Sequence, residues 1–421
     1  MNMVEKILAK ASGKKEVVPG EIVIADVDVI VMHDFGTHLV SNVFDKETKY
    51  TEIPNPDKVV IVIDHWFSPA AEDSATILRD IRAWAKKHGI KHLYDGGSGI
   101  CHYVMFEEGF VRPGMVVVGT DSHTTCYGAF GAFGTGVGNQ SHASLGLVFG
   151  KGWFRVPKTI KVQIDGELPK GTNMRDVVQH VIGVMGEDGA VYKAVEFAGS
   201  FVDSCSVLDR FTLPLMSVEM GAKTGFIQPD DKVIEFIKQR TNKPFELYYN
   251  DPDVEYESVH YFDVSKLGPQ IGCPPTVGNT KSIEDVPRVT INQAVIGGCA
   301  GAKIEDFRLA AEILRGRKVH PEVRLLIIPG SRQIYMQAAR EGLLDLFFEA
   351  GANIFPPSCG TCQTVNMGAQ AAGEVMIATL PRNFPGRTGS PQASVYLASP
   401  MTVAASAIEG RITDPREFLG R

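Results

Sequence analysis

Short apolar runs alternate with longer amphipathic runs along most of this chain, and this alternation constrains its fold more than any other feature. Residues 58–64, KVVIVID, have the continuous apolar character of a buried strand. Residues 74–89 have helical periodicity that ends at Gly89. Because strands that alternate with helices form parallel sheets covered by helices, the sequence predicts an α/β fold. The pattern recurs at 114–124 (strand, loop), 294–317 (strand, loop, helix), 322–331 (strand), 331–351 (helix) and 374–384 (strand).

Composition excludes several classes of protein. The chain has 421 residues, 44% hydrophobic and 22% charged, which is typical of globular proteins with two or three domains. Its net charge of −7 disfavours non-specific nucleic-acid binding, and no apolar run is long enough to predict a membrane span. The seven cysteines are an odd, sparse set without a secretory segment. They therefore favour a reducing, cytoplasmic location.

One segment breaks the pattern. Residues 250–290 are polar, rich in proline and poorly periodic. We expect this segment to connect two domains, with a further α/β unit after it.

Reactive side chains follow several of the predicted strands. Ligands and substrates bind at the carboxyl ends of strands in parallel α/β sheets, so these positions are candidates for a functional site. They are Asp64 and His65, the run from Asp121 to His123, Cys299, and the pair Arg382 and Arg387.

Three cysteines are candidate ligands. A Cys-x-x-Cys pair such as Cys359 and Cys362 can be a redox dithiol, half of a zinc site, a disulfide or part of an iron–sulfur site. Cys299 follows a strand of the same C-terminal region. Three thiolates without a fourth would suit a [4Fe–4S] cluster with one open iron. Spacing alone leaves zinc and buried structural cysteines as alternatives.

Three loops carry acid–base residues: Asp64 and His65, His102, and Asp121 with His123. A carboxylate next to an imidazole can orient or charge it, although single loop histidines commonly cap strands or lie in solvent. A serine hydrolase is a rival interpretation, but Ser122 lacks the G-x-S-x-G context that would expose it.

Two further motifs are ambiguous. The run GAFGAFGTGVGN at residues 128–139 lacks both phosphate-binding fingerprints. We therefore attribute its glycines to close backbone packing.

Arg382 and Arg387 in RNFPGR could bind carboxylates through their guanidinium groups or lie in a solvated turn.

Together these motifs resemble the aconitase superfamily of iron–sulfur hydro-lyases, above all the large subunits of the 3-isopropylmalate dehydratase, homoaconitase and dimethylmalate dehydratase types. The specific matches are GSGICH, PGMVVVGTDSHT, GAFGAFGTGVG, PSCGTC and RNFPGR. The resemblance covers nearly the whole chain. It implies a three-domain arrangement of parallel and mixed sheets flanked by helices, with a cluster site at the domain interface. Domains 1 and 2 would span residues 1–284, and domain 3 residues 285–421.

The resemblance also implies roles for individual residues. A [4Fe–4S] cluster with one open iron would be held by Cys299, Cys359 and Cys362. A hydroxy-dicarboxylate substrate would have its hydroxyl or leaving water bound and polarised by Asp64, His65, His102, Asp121 and His123. Glu196 matches a carboxylate near the iron, and Ser122, Arg382 and Arg387 would hold substrate carboxylates. The family's swivelling domain has no counterpart here, so a separate small subunit is implied as a partner in a hetero-oligomer.

The chain departs from the family pattern in two loops. Cys299 is followed by Ala300 and Gly301 where the family has Thr-Asn, and Pro381 stands where a second Asn is expected. Amide donors near a cluster tune its potential and position its ligands. We infer an altered substrate, an altered cluster stability or both. A non-catalytic iron–sulfur protein and a zinc protein are the alternatives.

Overall fold

The computed structural model describes residues 1–363 and 367–420 and has the predicted α/β class. Its strands are β1 (Ile22–Asp26), β2 (Val29–His33), β3 (Val59–Val62), β4 (His92–Tyr94), β5 (Val116–Gly119), β6 (Phe133–Gly136), β7 (Lys151–Arg155), β8 (Thr159–Asp165), β9 (Ala194–Ala198), β10 (Thr224–Phe226), β11 (Ser258–Asp263), β12 (Gln270–Gly272), β13 (Thr280–Ser282), β14 (Gln293–Ile296), β15 (Arg324–Ile327), β16 (Asn353–Ile354), β17 (Val375–Ala378) and β18 (Ser394–Leu397).

The helices pack beside these strands. They are α1 (Met3–Ala11), α2 (Asp34–Glu47), α3 (Glu72–Lys87), α4 (Cys101–Glu107), α5 (Ser144–Phe149), α6 (Met174–Met185), α7 (Ser200–Ser204), α8 (Val207–Met216), α9 (Asp231–Lys238), α10 (Ile304–Leu314), α11 (Arg332–Arg340), α12 (Leu343–Ala350) and α13 (Pro400–Glu409). Within the described residues, no helix combines the length and apolar character that crossing a membrane requires.

The chain divides into two compact units. Unit 1 comprises Met1–Gly96, Cys101–Ile164 and Asp188–Phe262. Unit 2 comprises Gly97–Ile100, Asp165–Glu187 and the chain from Asp263 onward. The division into 1–284 and 285–421, with three domains, stays a prediction.

Unit 1 is built on a five-stranded parallel sheet in the order β4-β3-β2-β5-β6. Strands β2, β3 and β5 are buried along their whole length. This burial explains their continuous apolar sequences, because parallel strands are covered on both faces. The unit also contains the antiparallel pair β1-β7 and a four-stranded sheet in the order β10-β9-β8-β11.

Unit 2 is built on a seven-stranded mixed sheet in the order β13-β12-β18-β17-β14-β15-β16. The strands from β18 to β16 run parallel, while β12 pairs antiparallel with both β13 and β18. Their parallel direction places the loops after β14, β16 and β17 at one edge of the sheet.

Two expectations needed correction. Residues 331–351 form two helices, not one, because Gly342 adopts a left-handed conformation (φ +70°) between α11 and α12. The segment 250–290 includes one of the points at which the chain passes from unit 1 to unit 2, at Asp263, and it contributes strands β11, β12 and β13; its role as a connection between domains stays a prediction. The hydrophobic pattern of the segment did not reveal these strands because each is short, and most residues of β11 and β13 are partly or fully exposed.

The glycine-rich run serves backbone packing, as predicted. A Cβ atom on Gly128 would lie 1.8 Å from the carbonyl oxygen of Gly225, and one on Gly134 would lie 2.4 Å from that of Thr124. Both of these neighbours are backbone carbonyl oxygens, which cannot move aside as the end of a flexible side chain can. Neither position therefore has room for a side chain.

Candidate active site

The acid–base residues of unit 1 lie at one edge of the five-stranded parallel sheet. Strand β2 ends at His33, and Asp34 opens the helix that follows. Asp64 and His65 are the second and third residues after β3, and Asp121 is the second residue after β5. These side chains converge because parallel strands direct their carboxyl ends to the same edge.

The first group contains a buried histidine–aspartate pair. The His65 Nδ1 atom lies 2.7 Å from Asp64 Oδ1. The other carboxylate oxygen of Asp64 accepts the backbone N–H of Cys101 at 2.8 Å. Burial alone would raise the pKa of Asp64, but the His65 charge and hydrogen bond outweigh it and lower this pKa. The pair is therefore an ionised carboxylate that orients an imidazole.

Asp34 holds the loop of this pair in place. Its carboxylate accepts the backbone N–H groups of His65 at 3.1 Å and of Trp66 at 2.6 Å. The carboxylate is fully buried, so water does not compete for these hydrogen bonds.

The second group centres on Asp121. Its Oδ1 atom lies 3.1 Å from His102 Nε2 and 3.2 Å from His123 Nδ1. The same oxygen accepts the backbone N–H of His123 at 2.7 Å. Burial would raise the pKa of Asp121, but the hydrogen bonds to His102 and His123 lower it well below its usual value.

A second carboxylate completes this group. The Nε2 atom of His123 lies 2.8 Å from Glu219 Oε1, and both side chains are almost fully buried. Each of His65, His102 and His123 thus contacts a carboxylate. Such pairs can bind and transfer protons or hold a hydroxyl group, so the arrangement is suited to acid–base chemistry.

Both groups also have the composition of cation sites. The ligand atoms of His102, Asp121 and His123 lie within 4.8 Å of one another. The same is true of the first group, which adds His33 and Asp34 to Asp64 and His65.

The sequence analysis did not single out Glu219, Asp34 or His33. His33 and Asp34 follow strand β2 as the other candidates follow theirs, so the same rule would have found them. Glu219 carries no such signal, because it reaches His123 across 96 residues of sequence.

Glu196, which the sequence favoured, belongs to another network. One carboxylate oxygen accepts a hydrogen bond from Gln228 Nε2 at 2.9 Å. The other accepts bonds from Asn250 Nδ2 and the Tyr256 hydroxyl, each at 2.8 Å. These bonds tie β9 to the chain that precedes β11. Its role near an iron stays a prediction.

The thiols and arginines lie in unit 2. Cys299 follows β14, Cys359 and Cys362 follow β16, and Arg382 follows β17. The three cysteines are buried, with exposures of 4–8%. Arg387 donates from Nη2 to the Cys362 sulfur at 3.2 Å. Between the paired cysteines, the hydroxyl oxygen of Thr361 is buried without a hydrogen-bond partner among the described residues.

Thr379 forms hydrogen bonds with the loop that carries Cys299. Its hydroxyl accepts the N–H of Gly297 at 2.9 Å and donates to the Gly297 carbonyl at 2.8 Å, which joins the loops after β14 and β17. A Cβ atom at Gly301 would lie 2.2 Å from the Thr379 side chain. The structure thus leaves no room for an asparagine at 301 in this conformation.

A family model described as the aconitase family (aconitate hydratase) matches residues 5–410. The chain belongs to the aconitase family. It is a hydro-lyase of the dehydratase class. This assignment confirms the resemblance of its motifs and disfavours the serine-hydrolase alternative.

The relatives of this aconitase-family chain match it over its full length. It is 45% identical to "3-isopropylmalate dehydratase large subunit 1" of Methanopyrus kandleri, with 99% of both chains covered. It is 43% identical to "Probable methanogen homoaconitase large subunit" of Methanothermobacter thermautotrophicus, covering 100% of this chain and 99% of the relative. The crystal structure of aconitase X from Thermococcus kodakaraensis matches with a TM-score of 0.51 at 12% identity, covering 90% of this chain and 89% of that one. That match supports the fold.

Proposed function

We propose that this chain is the catalytic large subunit of a two-subunit, [4Fe–4S]-dependent hydro-lyase. Its substrate would be a malate-type 2-hydroxy dicarboxylic acid, as in 3-isopropylmalate dehydratase. The relatives named as large subunits of that enzyme and of homoaconitase support this assignment. Homoaconitase and dimethylmalate dehydratase activities are the nearest alternatives, and the partner would be a small subunit.

The donor set of unit 2 fits the cluster. Three buried sulfurs follow parallel strands of one sheet, and a guanidinium group that donates to one of them would stabilise a thiolate. The unpartnered Thr361 hydroxyl supplies a further polar atom between two of the ligands. Cys299, Cys359 and Cys362 would hold the cluster. When bound, it would supply a Lewis acid for the hydroxyl and carboxylate oxygens of the substrate.

The residues of unit 1 would handle protons. Asp64 and Asp121 are ionised at neutral pH because their neighbouring imidazoles lower their pKa values. They hold His65, His102 and His123 in fixed orientations, and these carboxylate–imidazole groups would bind or protonate the departing hydroxyl group. Ser122, Arg382 and Arg387 would hold the substrate carboxylates.

One observation carries the proposal: each of three histidines is paired with a carboxylate in a single unit. A purely structural cluster, or a zinc site built on the three cysteines of unit 2, would not need these pairs. The non-catalytic iron–sulfur protein and the zinc protein are therefore less well supported.

The test is anaerobic reconstitution with iron and sulfide, followed by addition of the small subunit. We expect about four irons per chain, cluster-type visible absorbance, and formation of an unsaturated product in a screen of substituted malates. Cys299→Ala should lose the absorbance, whereas the control Cys273→Ala, a buried cysteine of the same unit, should keep it. Equal absorbance in both variants, or zinc without acid-labile sulfide, would refute the proposal.

A further inference from the structure

A polar cavity of about 310 Å³ lies beside the Asp121 group within unit 1. Its polar side chains are a lysine, four hydroxyl groups and one amide, and no carboxylate is among the described residues that line it. A cavity with this lining suits an anion, because it offers several hydrogen-bond donors and one positive charge. The polar side chains belong to Thr120, Ser122, Thr125, Thr135, Asn139 and Lys223.

Lys223 is the charged group of this cavity. Its Nζ atom donates to the Gly136 carbonyl at 3.4 Å, and in the described structure it forms no ion pair. Burial lowers its pKa to about 8. An ammonium group that is partly desolvated and has no carboxylate partner gains free energy when an anion binds to it.

The surroundings of Lys223 add positive charge. The Tyr192 ring lies 5.7 Å from Lys223 Nζ and 4.4 Å from the guanidinium carbon of Arg155. Tyr192 has a left-handed backbone (φ +56°), which is uncommon for an aromatic residue. Such conformations persist where the surrounding structure enforces them, often at functional sites.

Two hydroxyl groups of the cavity can donate hydrogen bonds to a ligand. Ser122 lies between Asp121 and His123 in sequence, and its side chain has no hydrogen-bond partner among the described residues. Thr120 Oγ1 accepts a hydrogen bond from the backbone N–H of His33 at 3.2 Å, so the hydroxyl proton of Thr120 is available to a ligand. Thr135, by contrast, already donates to the Lys223 carbonyl at 2.8 Å.

We infer that Lys223, with Ser122 and Thr120, binds a carboxylate group of the substrate and so positions it beside the Asp121 group. Lys223 is then a substrate-binding residue of unit 1. The inference rests on the proposed function for the identity of the substrate. It does not depend on the cluster, because all its residues belong to unit 1.

The first test is kinetic and uses the reconstituted two-subunit enzyme. Lys223→Met should raise KM for the diacid about tenfold or more and change kcat by less than about threefold, because it removes a charge-assisted hydrogen bond to a carboxylate. Lys223→Arg should recover most of the loss. The matched control is Lys193→Met, which removes one positive charge from a lysine that pairs with Glu257 at 3.2 Å; its KM should stay near the wild-type value.

The second test measures binding without turnover. Succinate is titrated into the full chain alone, and saturation-transfer NMR signals are compared among the wild type, Lys223→Met and Lys193→Met. Loss of signal in Lys223→Met alone supports the inference. Absent wild-type binding, equal signals in both variants, or sulfate competing as well as succinate would overturn it. If no diacid is turned over, the proposed function fails, but this titration still decides whether Lys223 binds a carboxylate.

Discussion

His123 has a carboxylate on each side of its ring. Asp121 contacts Nδ1 and Glu219 contacts Nε2, so the plane of the imidazole is fixed from both ends. Glu196 is equally buried, but its oxygens are occupied by three neutral donors. The two glutamates therefore lie in different surroundings, Glu219 against a histidine of the candidate site and Glu196 among neutral hydrogen-bond donors.

This difference predicts opposite outcomes for two conservative substitutions. Glu219→Gln should lower kcat by about a hundredfold, within the range for acid–base residues, with little loss of stability. Glu196→Gln should lower the free energy of unfolding by about 1–3 kcal/mol, because the NH₂ group of the new glutamine would face hydrogen-bond donors where the carboxylate had an acceptor oxygen. Turnover and urea unfolding of both variants measure the two effects. A larger loss of kcat in Glu196→Gln than in Glu219→Gln would reverse the assignment.

At the scale of elements, the site depends on a close backbone crossing. The 3₁₀ helix Ser122–Phe130 carries Ser122 and His123 at its start and meets strand β10 at Gly128. Neither backbone can move away easily, since Gly225 in turn packs closely on helix α8: a Cβ atom on Gly225 would lie 2.7 Å from the Cα atom of Pro214. The position of the His123 loop is therefore set by glycines that have no chemistry of their own.

We expect Gly128→Ala to destabilise unit 1 by about 3 kcal/mol or more, because its methyl group would overlap the Gly225 carbonyl. Gly138→Ala in the same run is the control. A Cβ there would meet only the Ser141 hydroxyl, at 3.1 Å, so its cost should be below about 1 kcal/mol. Thermal or urea unfolding measures both. Equal stability of the two variants would mean that the 3₁₀ helix and strand β10 can move apart at Gly128 at little cost in free energy.

At the scale of the molecule, the carboxylates of the site couple stability to pH. Asp64 and Asp121 have folded-state pKa values below their usual ones. A depressed carboxyl pKa contributes stability above the unfolded-state pKa, near 3.9, and this contribution disappears as pH falls through the folded-state pKa. These candidate catalytic carboxylates thus also make the fold sensitive to acid.

Asp121→Asn isolates this contribution. The wild type should be more stable than the variant at pH 6, and the gap should narrow by about 1 kcal/mol at pH 3, where the unfolded wild type is protonated. Urea unfolding at the two pH values gives the difference. A gap that stays constant or widens in acid would show that the Asp121 carboxylate does not stabilise the fold.

The sequence by itself determined the α/β class, the parallel strands and the loops that carry chemistry. Continuous apolar runs such as residues 58–64 specify buried strands, and polar residues that follow them must lie at the carboxyl edge of a sheet. Asp64, His65, Asp121 and His123 could therefore be placed at one edge without coordinates. The three cysteines were candidate ligands from their spacing, and the family motifs favoured an iron–sulfur cluster over zinc.

Only the tertiary structure decided which groups meet. Glu219 contacts His123, and Lys223 shares a cavity with Ser122, because helix α8 and strand β10 fold back onto the loop that follows β5. No local pattern encodes contacts between residues about 100 positions apart, since they depend on how whole elements pack. Likewise, only the tertiary structure shows that Gln228, Asn250 and Tyr256 donate hydrogen bonds to Glu196, whose expected role near an iron stays a prediction.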